Sequence, residues 1–191
     1  MMQDASFLPM AELKAGLDRI RQSPRDVGVL ELIARRPATN EREVIAEGEL
    51  TQANGLVGDS WLARGGWPNA SDPADPECQL NIMNARAAAL VAQDRDRWAL
   101  AGDQLYIDFE LSDDNAPVGT RLAIGAAVIE ITAPPHTGCE KFSARFGTDA
   151  TKFVNSPEGK RLHLRGVNAR VICDGAIRTG DAVRKLSPYE L

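Results

Sequence analysis

The chain has 191 residues, of which 43% are hydrophobic and 26% charged, a composition typical of a globular protein and not of a disordered or fibrous one. Its length suits one domain, or one domain with an extension. The formal net charge of −5 and the pI near 5.1 provide no general attraction to nucleic acid or to an anionic membrane surface. Neither is therefore expected as a partner.

The cysteines indicate a reducing compartment. Cys78, Cys139 and Cys173 form no CxxC pair and leave one cysteine over from any disulfide, which argues against a secreted disulfide framework. The first ten residues contain an acid and a proline where a signal peptide has a basic end and an apolar run, and no stretch approaches about 18 apolar residues. A cytoplasmic location is the expectation.

The N-terminal part predicts a short amphipathic helix. Leu13, Leu17 and Ile20 recur at helical spacing within residues 10–21, and Ser23-Pro24 ends the pattern. Residues 1–26 are therefore interpreted as a helical extension, and residues 27–191 as the main domain.

The remainder predicts short strands separated by Gly, Pro and Asn turns. The predicted strands lie at residues 27–35, 44–50, 79–83, in several segments from 103 to 131, and at 167–173, 176–178 and 182–186. A glycine-punctuated loop is expected over residues 54–78, and an alanine-rich helix over 84–91. This pattern favours a mainly β fold with a few helices, and a closed, mostly antiparallel barrel would remove the exposed edges of so many strands.

Cys139 is the candidate reactive centre. It follows a predicted strand in the segment Pro134-Pro-His-Thr-Gly-Cys139 and precedes a helical pattern in which Phe142, Phe146 and Phe153 share a face. A helix N-terminus with Lys141 and His136 nearby favours thiolate, the nucleophilic and metal-binding form of cysteine. The alternative is a buried structural cysteine, which is the interpretation preferred for Cys78 and Cys173.

Two other sites remain open for the same residues. His136 and Cys139 could begin a zinc site completed by His163, Cys78 or Cys173, although no second tight pair of ligands exists. His136 or His163 could also serve Cys139 as the base of a hydrolase, although no nucleophile-elbow motif is present.

Basic residues are concentrated around this cysteine. Residues 136–170 contain seven Lys or Arg against three acids, whereas the rest of the chain is strongly acidic. Asp59, Arg64 and the cluster that includes His163, Arg165 and Arg170 could line a pocket for an anionic ligand, since a guanidinium matches two phosphate oxygens at once. A solvated basic face is the alternative.

Together these segments resemble the MOSC domain, the C-terminal domain of molybdenum cofactor sulfurases. The resemblance rests on Gly58-Asp59, on Pro135-x-x-Gly-Cys139 after a strand, on Gly119-Thr-Arg-Leu-Ala-Ile-Gly125, and on the tail from Arg165-Gly-Val-Asn to Thr179-Gly-Asp181. It covers roughly residues 27–186 and implies a closed, pyruvate-kinase-barrel-like β-barrel. It also implies an association with molybdenum cofactor and sulfur transfer, in which Cys139 carries a sulfane sulfur or ligates molybdenum.

The chain departs from the family pattern in three ways. Ser60-Trp61 follows Gly-Asp where members often have a histidine, and Gly102-Asp-Gln replaces a Gly-Glu-Asn stretch. The sequence also shows no aminotransferase-like domain with a Schiff-base lysine, so pyridoxal phosphate chemistry is not expected of it. The resemblance then implies a stand-alone carrier that meets a sulfur donor or a molybdoenzyme partner. A reductase component and a non-catalytic binding barrel with a structural cysteine are the alternatives.

Overall fold

A computed structural model describes residues 7–66, 69–187 and 190. The first six residues and positions 67–68, within the long loop expected over residues 54–78, lie outside the described part. Within that part, no helix is long and apolar enough to cross a membrane.

Short strands and short helices alternate along the chain. The strands are β1 (Val27–Arg35), β2 (Glu43–Ile45), β3 (Glu47–Thr51), β4 (Gly55–Leu56), β5 (Leu80–Asn84), β6 (Leu105–Asp108), β7 (Arg121–Ile124), β8 (Ala127–Ile131), β9 (Val167–Cys173), β10 (Gly175–Arg178) and β11 (Ala182–Lys185). The α-helices are α1 (Met10–Ala15), α2 (Leu17–Arg21), α3 (Trp61–Arg64), α4 (Ala85–Ala92), α5 (Glu140–Phe146), α6 (Thr148–Val154) and α7 (Pro157–Arg161). Two 3₁₀ helices span Pro76–Cys78 and Arg95–Ala101.

Seven strands close into a barrel in the order β1, β11, β7, β8, β9, β5, β6, with β6 pairing back onto β1. Neighbouring strands are antiparallel except β5 and β6, which are parallel and are joined by a crossover through α4 and the second 3₁₀ helix. The predicted closed, mostly antiparallel barrel with a few helices is confirmed.

A bulge in β1 decides which side chains fill the barrel. The pairing of β1 with β6 shifts between Leu30 and Leu32, so the in-and-out alternation changes parity there. Leu30 and Ile33 consequently both pack inside the barrel, against inward residues such as Ile107 and Ile129. Leu32 points outward into a second cluster.

That second cluster lies between the barrel and the helices. Outward-facing Met83 and Tyr106 contact buried residues of α1, α2, α4, α5 and α6 in it. The predicted N-terminal helix forms as α1 and α2, and its Leu13 is fully buried in this layer. The helices therefore cover one outer face of the barrel.

The strand predicted over residues 44–50 forms two strands in different sheets. β2 pairs with β1, whereas β3 pairs with β10 in a separate three-stranded sheet completed by β4. The chain changes sheet at Ala46, whose carbonyl accepts a hydrogen bond from Thr179 N at 2.9 Å. The apolar pattern predicts β structure correctly, but it carries no information about which partner each half takes.

Candidate functional site

The loop of residues 132–139, which we name the cysteine loop, connects β8 to α5 and ends with Cys139. Cys139 is exposed and occupies the position directly before the first residue of α5. Buried Phe142 and Phe146 fix that helix against the outer core. The sulfur therefore stands on a packed helix while remaining open to solvent.

Asn155, at the end of α6, holds this loop by two hydrogen bonds to Gly138, which we name the Asn155 clasp. Its Oδ1 accepts from Gly138 N and its Nδ2 donates to Gly138 O, both at 2.9 Å. A second attachment leads to the barrel, because Asn168 on β9 donates to Pro134 O at 2.9 Å and accepts from Asn81 at 2.6 Å. The cysteine loop is thus fixed at two points on either side of His136.

Cys139 lies at the edge of a strongly basic pocket of about 240 Å³. Six cationic side chains from distant parts of the chain line it, together with His136 and Cys139, and we name this site the arginine pocket. Its cations are Arg36, Arg42, Arg64, Lys141, Arg145 and Arg165. No carboxylate is among the described residues that line the pocket, so their charge is positive.

Arg36 is held from behind by Asp59, whose side chain is fully buried. The guanidinium makes a bidentate pair with the carboxylate, with Nε–Oδ2 at 2.9 Å and Nη2–Oδ1 at 3.0 Å. The remaining Arg36 amine donates to Asn81 Oδ1 and to Gly102 O. Asp59 therefore orients Arg36 and does not face the pocket.

Arg165 is held in the same manner by buried Asp103. Its Nη1 lies 2.9 and 2.7 Å from the two carboxylate oxygens, and its Nη2 donates to Ala101 O. The guanidinium also lies over the ring of Phe142 at 5.0 Å. Complete burial raises the pKa of Asp103, although the Arg165 guanidinium opposes part of that effect.

His136 sits beside this pair and is neutral at pH 7. Burial, then the charges of Arg165 and Arg36, lowers its pKa well below the ordinary value. Its Nδ1 lies 3.4 Å from Asp103 Oδ1. Neutral His136 can therefore take part in hydrogen bonds, while the positive charge around Cys139 comes from arginine and lysine.

Positive charge is crowded on the other side of the pocket. Within the described residues, Arg42, Lys141 and Arg145 have no carboxylate at ion-pair distance, and Arg64 reaches Asp59 only at 4.0 Å. Burial, then the neighbouring charge of Arg145, lowers the pKa of Arg42. Partial burial and the charge of Arg36 do the same to the pKa of Arg64. An anion bound here would stabilise the charged forms of Arg42 and Arg64.

Three buried nitrogen atoms around this pocket lack hydrogen-bond partners in the described part of the chain. They are Nε of Arg42, Nε of Arg165 and Nδ1 of His136. Buried polar atoms are normally satisfied, and exceptions commonly mark a place where a ligand or water binds. All three residues line the arginine pocket.

Five of the residues singled out from the sequence come together here: Cys139, His136, Lys141, Arg64 and Arg165. His163 lies elsewhere, hydrogen-bonded to Asp113 at 2.8 Å in a neighbouring cavity. Arg170 lies on the outer face of β9 and pairs with Glu130 at 2.6 Å. Neither of these two lines the arginine pocket.

The two other cysteines are half-buried, not fully buried as structural cysteines would be. Burial and the neighbouring Asp75 raise the pKa of Cys78 to about 11, so it is a neutral thiol at pH 7. Among the described residues, no group of three or more His, Cys, Asp or Glu side chains is arranged to hold a metal ion. The ligands considered for a zinc site therefore do not assemble.

Sequence reasoning missed Arg36, Arg42 and Asp103, and it included Arg145 only as one of the basic residues between positions 136 and 170. Arg36 directly follows β1, and Arg42 lies in a polar segment that looks like solvated surface. Asp103 stands in the Gly102-Asp-Gln stretch, which had drawn attention only as a departure from a family pattern. Nothing local distinguishes these residues, since the fold alone brings their segments together.

Comparison with known proteins supports the architecture. The sequence profile of the MOSC domain matches residues 74–184. Among solved structures, the chain is similar to the YuaD protein from Bacillus subtilis, with a TM-score of 0.58 at 14% identity over 84% of this chain and 97% of that one. It is also similar to YiiM from Escherichia coli, with a TM-score of 0.53 at 17% identity over 87% and 71% of the two chains.

A similar likeness extends to YiiM from Geobacillus stearothermophilus, with a TM-score of 0.51 at 12% identity over 86% of this chain and 75% of that one. At these identities the likeness is one of fold. No curated protein matches the sequence.

Proposed function

The chain belongs to the MOSC domain family, and from that premise we propose that it binds a phosphate-bearing ligand of the molybdenum-cofactor type in the arginine pocket, with Cys139 as sulfur carrier or molybdenum ligand. The observation that carries the proposal is the exposed Cys139 beside a pocket whose described lining residues include six cations and no carboxylate. An exposed position also argues against a purely structural cysteine.

The residues present fit the phosphate of such a ligand. Among the described residues, Arg42 and Arg165 each keep a buried Nε without a hydrogen-bond partner, and burial together with neighbouring cations lowers the pKa of Arg42 and of Arg64. Guanidinium groups bind phosphate oxygens with charge-assisted hydrogen bonds. Arg36 and Arg165, pre-oriented by Asp59 and Asp103, would need little rearrangement to take part.

Cys139 suits both roles proposed for it, sulfur carrier and molybdenum ligand. When bound, the cofactor would supply a molybdenum centre, for which a soft thiolate is a suitable ligand. Lys141 and the arginines would stabilise negative charge at the sulfur, while His136, whose lowered pKa keeps it neutral, adds no charge beside it.

As a sulfur carrier, Cys139 would react with a persulfide donor. A bond forms between its Sγ and the donor's outer sulfur, and the sulfur–sulfur bond of the donor breaks. The donor leaves as a thiolate and takes up the proton that Cys139 gives up. The exchange is balanced and needs no external oxidant or reductant.

Inorganic phosphate is the direct probe of the pocket. Titration calorimetry should show phosphate binding to the parent chain, and Arg42→Gln should weaken it at least about tenfold, or about 1.4 kcal/mol. Arg170→Gln is the matched control, because Arg170 carries the same charge outside the pocket. Equal loss in the two variants would mean that phosphate responds to overall charge and would refute the site.

Sulfur loading is measured separately. The protein is incubated with a low-molecular-weight persulfide, and mass spectrometry locates the added sulfur atom. We expect it on Cys139 and not on the half-buried Cys173, with loss of the signal in Cys139→Ser. A Cys139 that reacts no faster than a peptide thiol and retains no sulfur would refute the carrier role.

The alternative is a binding module without sulfur chemistry. The cations of the arginine pocket do not depend on Cys139, so a barrel that only binds an anion would keep its phosphate affinity in Cys139→Ser. Elemental analysis of protein purified from its own source decides whether molybdenum is bound. Molybdenum in the parent and its loss in Cys139→Ser would favour the ligand role over the binding module.

A further inference from the structure

A second and larger cavity adjoins the arginine pocket. Its volume is about 640 Å³, and it is lined by three segments: the connection between β6 and β7, the cysteine loop, and the stretch from the end of α6 to the start of β9. His136 and Arg165 line both cavities and so form the wall between them. We name this space the proline cavity, after Pro134 and Pro135 in its lining.

The walls of the proline cavity are mainly apolar. Val118, Ile131 and Val154 face it together with the two prolines. Small-molecule sites commonly have volumes of roughly 300–1,000 Å³ with apolar walls and a few polar groups. The cavity therefore has the size and lining of a site for an organic molecule.

Most charged groups of this cavity are already paired. His163 contacts Asp113 at 2.8 Å, Arg161 pairs with Asp114 at 3.3 Å, and Arg165 pairs with Asp103. Lys160 is the exception among the described lining residues, and it is exposed at the surface. Unlike the arginine pocket, the proline cavity has little unbalanced charge, so an uncharged occupant suits it.

His163 holds an unfavourable backbone conformation at this site. Its φ is 47°, in the left-handed region, two residues after the end of α7 at Arg161, and Leu164 N donates a hydrogen bond back to Gly159 O. Glycine is the residue that adopts this helix-ending position at least cost. Strained residues of this kind cluster at functional sites. The imidazole is therefore placed here at a cost in backbone strain.

His163 and Asp113 form one polar pair in the lining of the cavity. When Nε2 of His163 donates to Asp113, its Nδ1 is left as a hydrogen-bond acceptor. We propose that the proline cavity is a binding site for a small, uncharged and mainly apolar heterocyclic molecule, whose N–H group is accepted by His163. This site is distinct from the arginine pocket, with which it shares only the lining residues His136 and Arg165.

Indole is the probe, because it is uncharged, apolar and carries one N–H donor. Nuclear magnetic resonance titration of the full chain should shift the amides of residues 131–137 and 159–168. Val118→Trp should fill the mouth of the cavity, since Val118 is 64% exposed and tolerates a larger side chain. The matched control is Val44→Trp, on β2 and 58% exposed.

The expected result is that Val118→Trp weakens indole binding at least about tenfold while Val44→Trp does not. His163→Gly should also weaken indole binding. Glycine adopts the left-handed backbone conformation of this position at little cost, so the fold should tolerate this variant. Shifts outside these segments, or equal binding in all variants, would overturn the site. Tighter binding of indole-3-carboxylate than of indole would overturn the uncharged class of ligand, and full affinity in His163→Gly would overturn the assigned acceptor.

Phosphate titration of the same variants separates this proposal from the function proposed above. Val118→Trp should keep its phosphate affinity, because Val118 does not line the arginine pocket. Indole binding without phosphate binding would leave the proline cavity standing and refute the anion site. Loss of both indole binding and phosphate binding in Val118→Trp would contradict the proposal that the two sites are separate.

Discussion

Among single residues, His136 combines burial with a position between two cavities. It packs beside Asp103, and Arg165 and Arg36 act on it electrostatically, so that all nearby cations oppose its protonation. Gly166 makes room for the ring, since a Cβ at that position would lie 3.2 Å from Nδ1 of His136. The histidine is therefore kept neutral by its surroundings, and this neutrality has a measurable effect on stability.

We expect the protein to lose stability as the pH falls from 7 to 5. The unfolded chain takes up a proton at His136 near its ordinary pKa of 6.5, whereas the folded chain does not, so acid favours unfolding. His136 therefore contributes a loss of stability as the pH falls through the ordinary pKa of the unfolded imidazole. Urea unfolding of the parent and of His136→Gln, at both pH values, measures it.

Removing the histidine should flatten that pH dependence, because glutamine does not titrate. Asp103 and Arg165 remain in both proteins, so the difference between the two curves isolates His136. Parallel curves for the parent and His136→Gln would contradict the neutral state of the imidazole.

Several site residues could be predicted from the sequence because they lie close to Cys139 in the chain. His136 and Lys141 are within three residues of it, and Arg165 was found through the local excess of basic residues. Arg36 and Arg42 lie about a hundred positions away, in segments without any distinguishing pattern. Their role depends on long-range strand pairing, which residue types alone do not reveal.

Among the structural elements, the cysteine loop depends on the side chain of Asn155. Its amide satisfies both backbone groups of Gly138 from the end of α6, one residue before the sulfur-bearing position. Gly138 also approaches closely, since a Cβ there would lie 3.0 Å from Val154. The clasp therefore fixes where Cys139 stands relative to the arginine pocket.

Asn155→Ala should destabilise the fold by about 1–3 kcal/mol, because Gly138 loses two hydrogen bonds. Amide hydrogen exchange of residues 136–139 should accelerate while that of β8 and β9 stays slow. Asn155→Asp is the control, since it keeps the acceptor for Gly138 N and loses only the donor. It should fall between the parent and Asn155→Ala, and unchanged exchange in both variants would show that the clasp does not hold the loop.

Strand boundaries followed well from sequence where a strand is bounded by turn residues. β1 and β9 match the predicted ranges 27–35 and 167–173. The pattern over 44–50 was less informative, because apolar alternation does not distinguish one long strand from two strands that pair with different partners. Closure is expected from the number of short strands and from the family resemblance, whereas no local pattern predicts the order of the strands.

The molecule as a whole contains two apolar clusters that share the barrel wall. One fills the barrel interior, and the other joins the outer face of the barrel to the helices. Leu13 of α1 is fully buried in the outer cluster, and Ile107 of β6 in the inner one. The division into an extension of residues 1–26 and a domain of residues 27–191 remains a prediction.

A single unfolding transition is expected, because β1, β5 and β6 contribute side chains to both clusters. Leu13→Ala and Ile107→Ala should each cost about 2–5 kcal/mol and shift the whole transition. Urea unfolding followed by tryptophan fluorescence and by far-ultraviolet circular dichroism should give coincident curves. An early separate phase in Leu13→Ala alone would mean that the N-terminal helices unfold independently.

The cations of the arginine pocket reach it from the end of β1, the start of β2, α3, α5 and the approach to β9. Such a concentration of charge exists only after these segments have been brought together. An anion should therefore bind the denatured chain much more weakly than the folded one. Phosphate or sulfate in a buffer would then act as a folding ligand. Purification and refolding should proceed better in phosphate than in a chloride buffer of equal ionic strength.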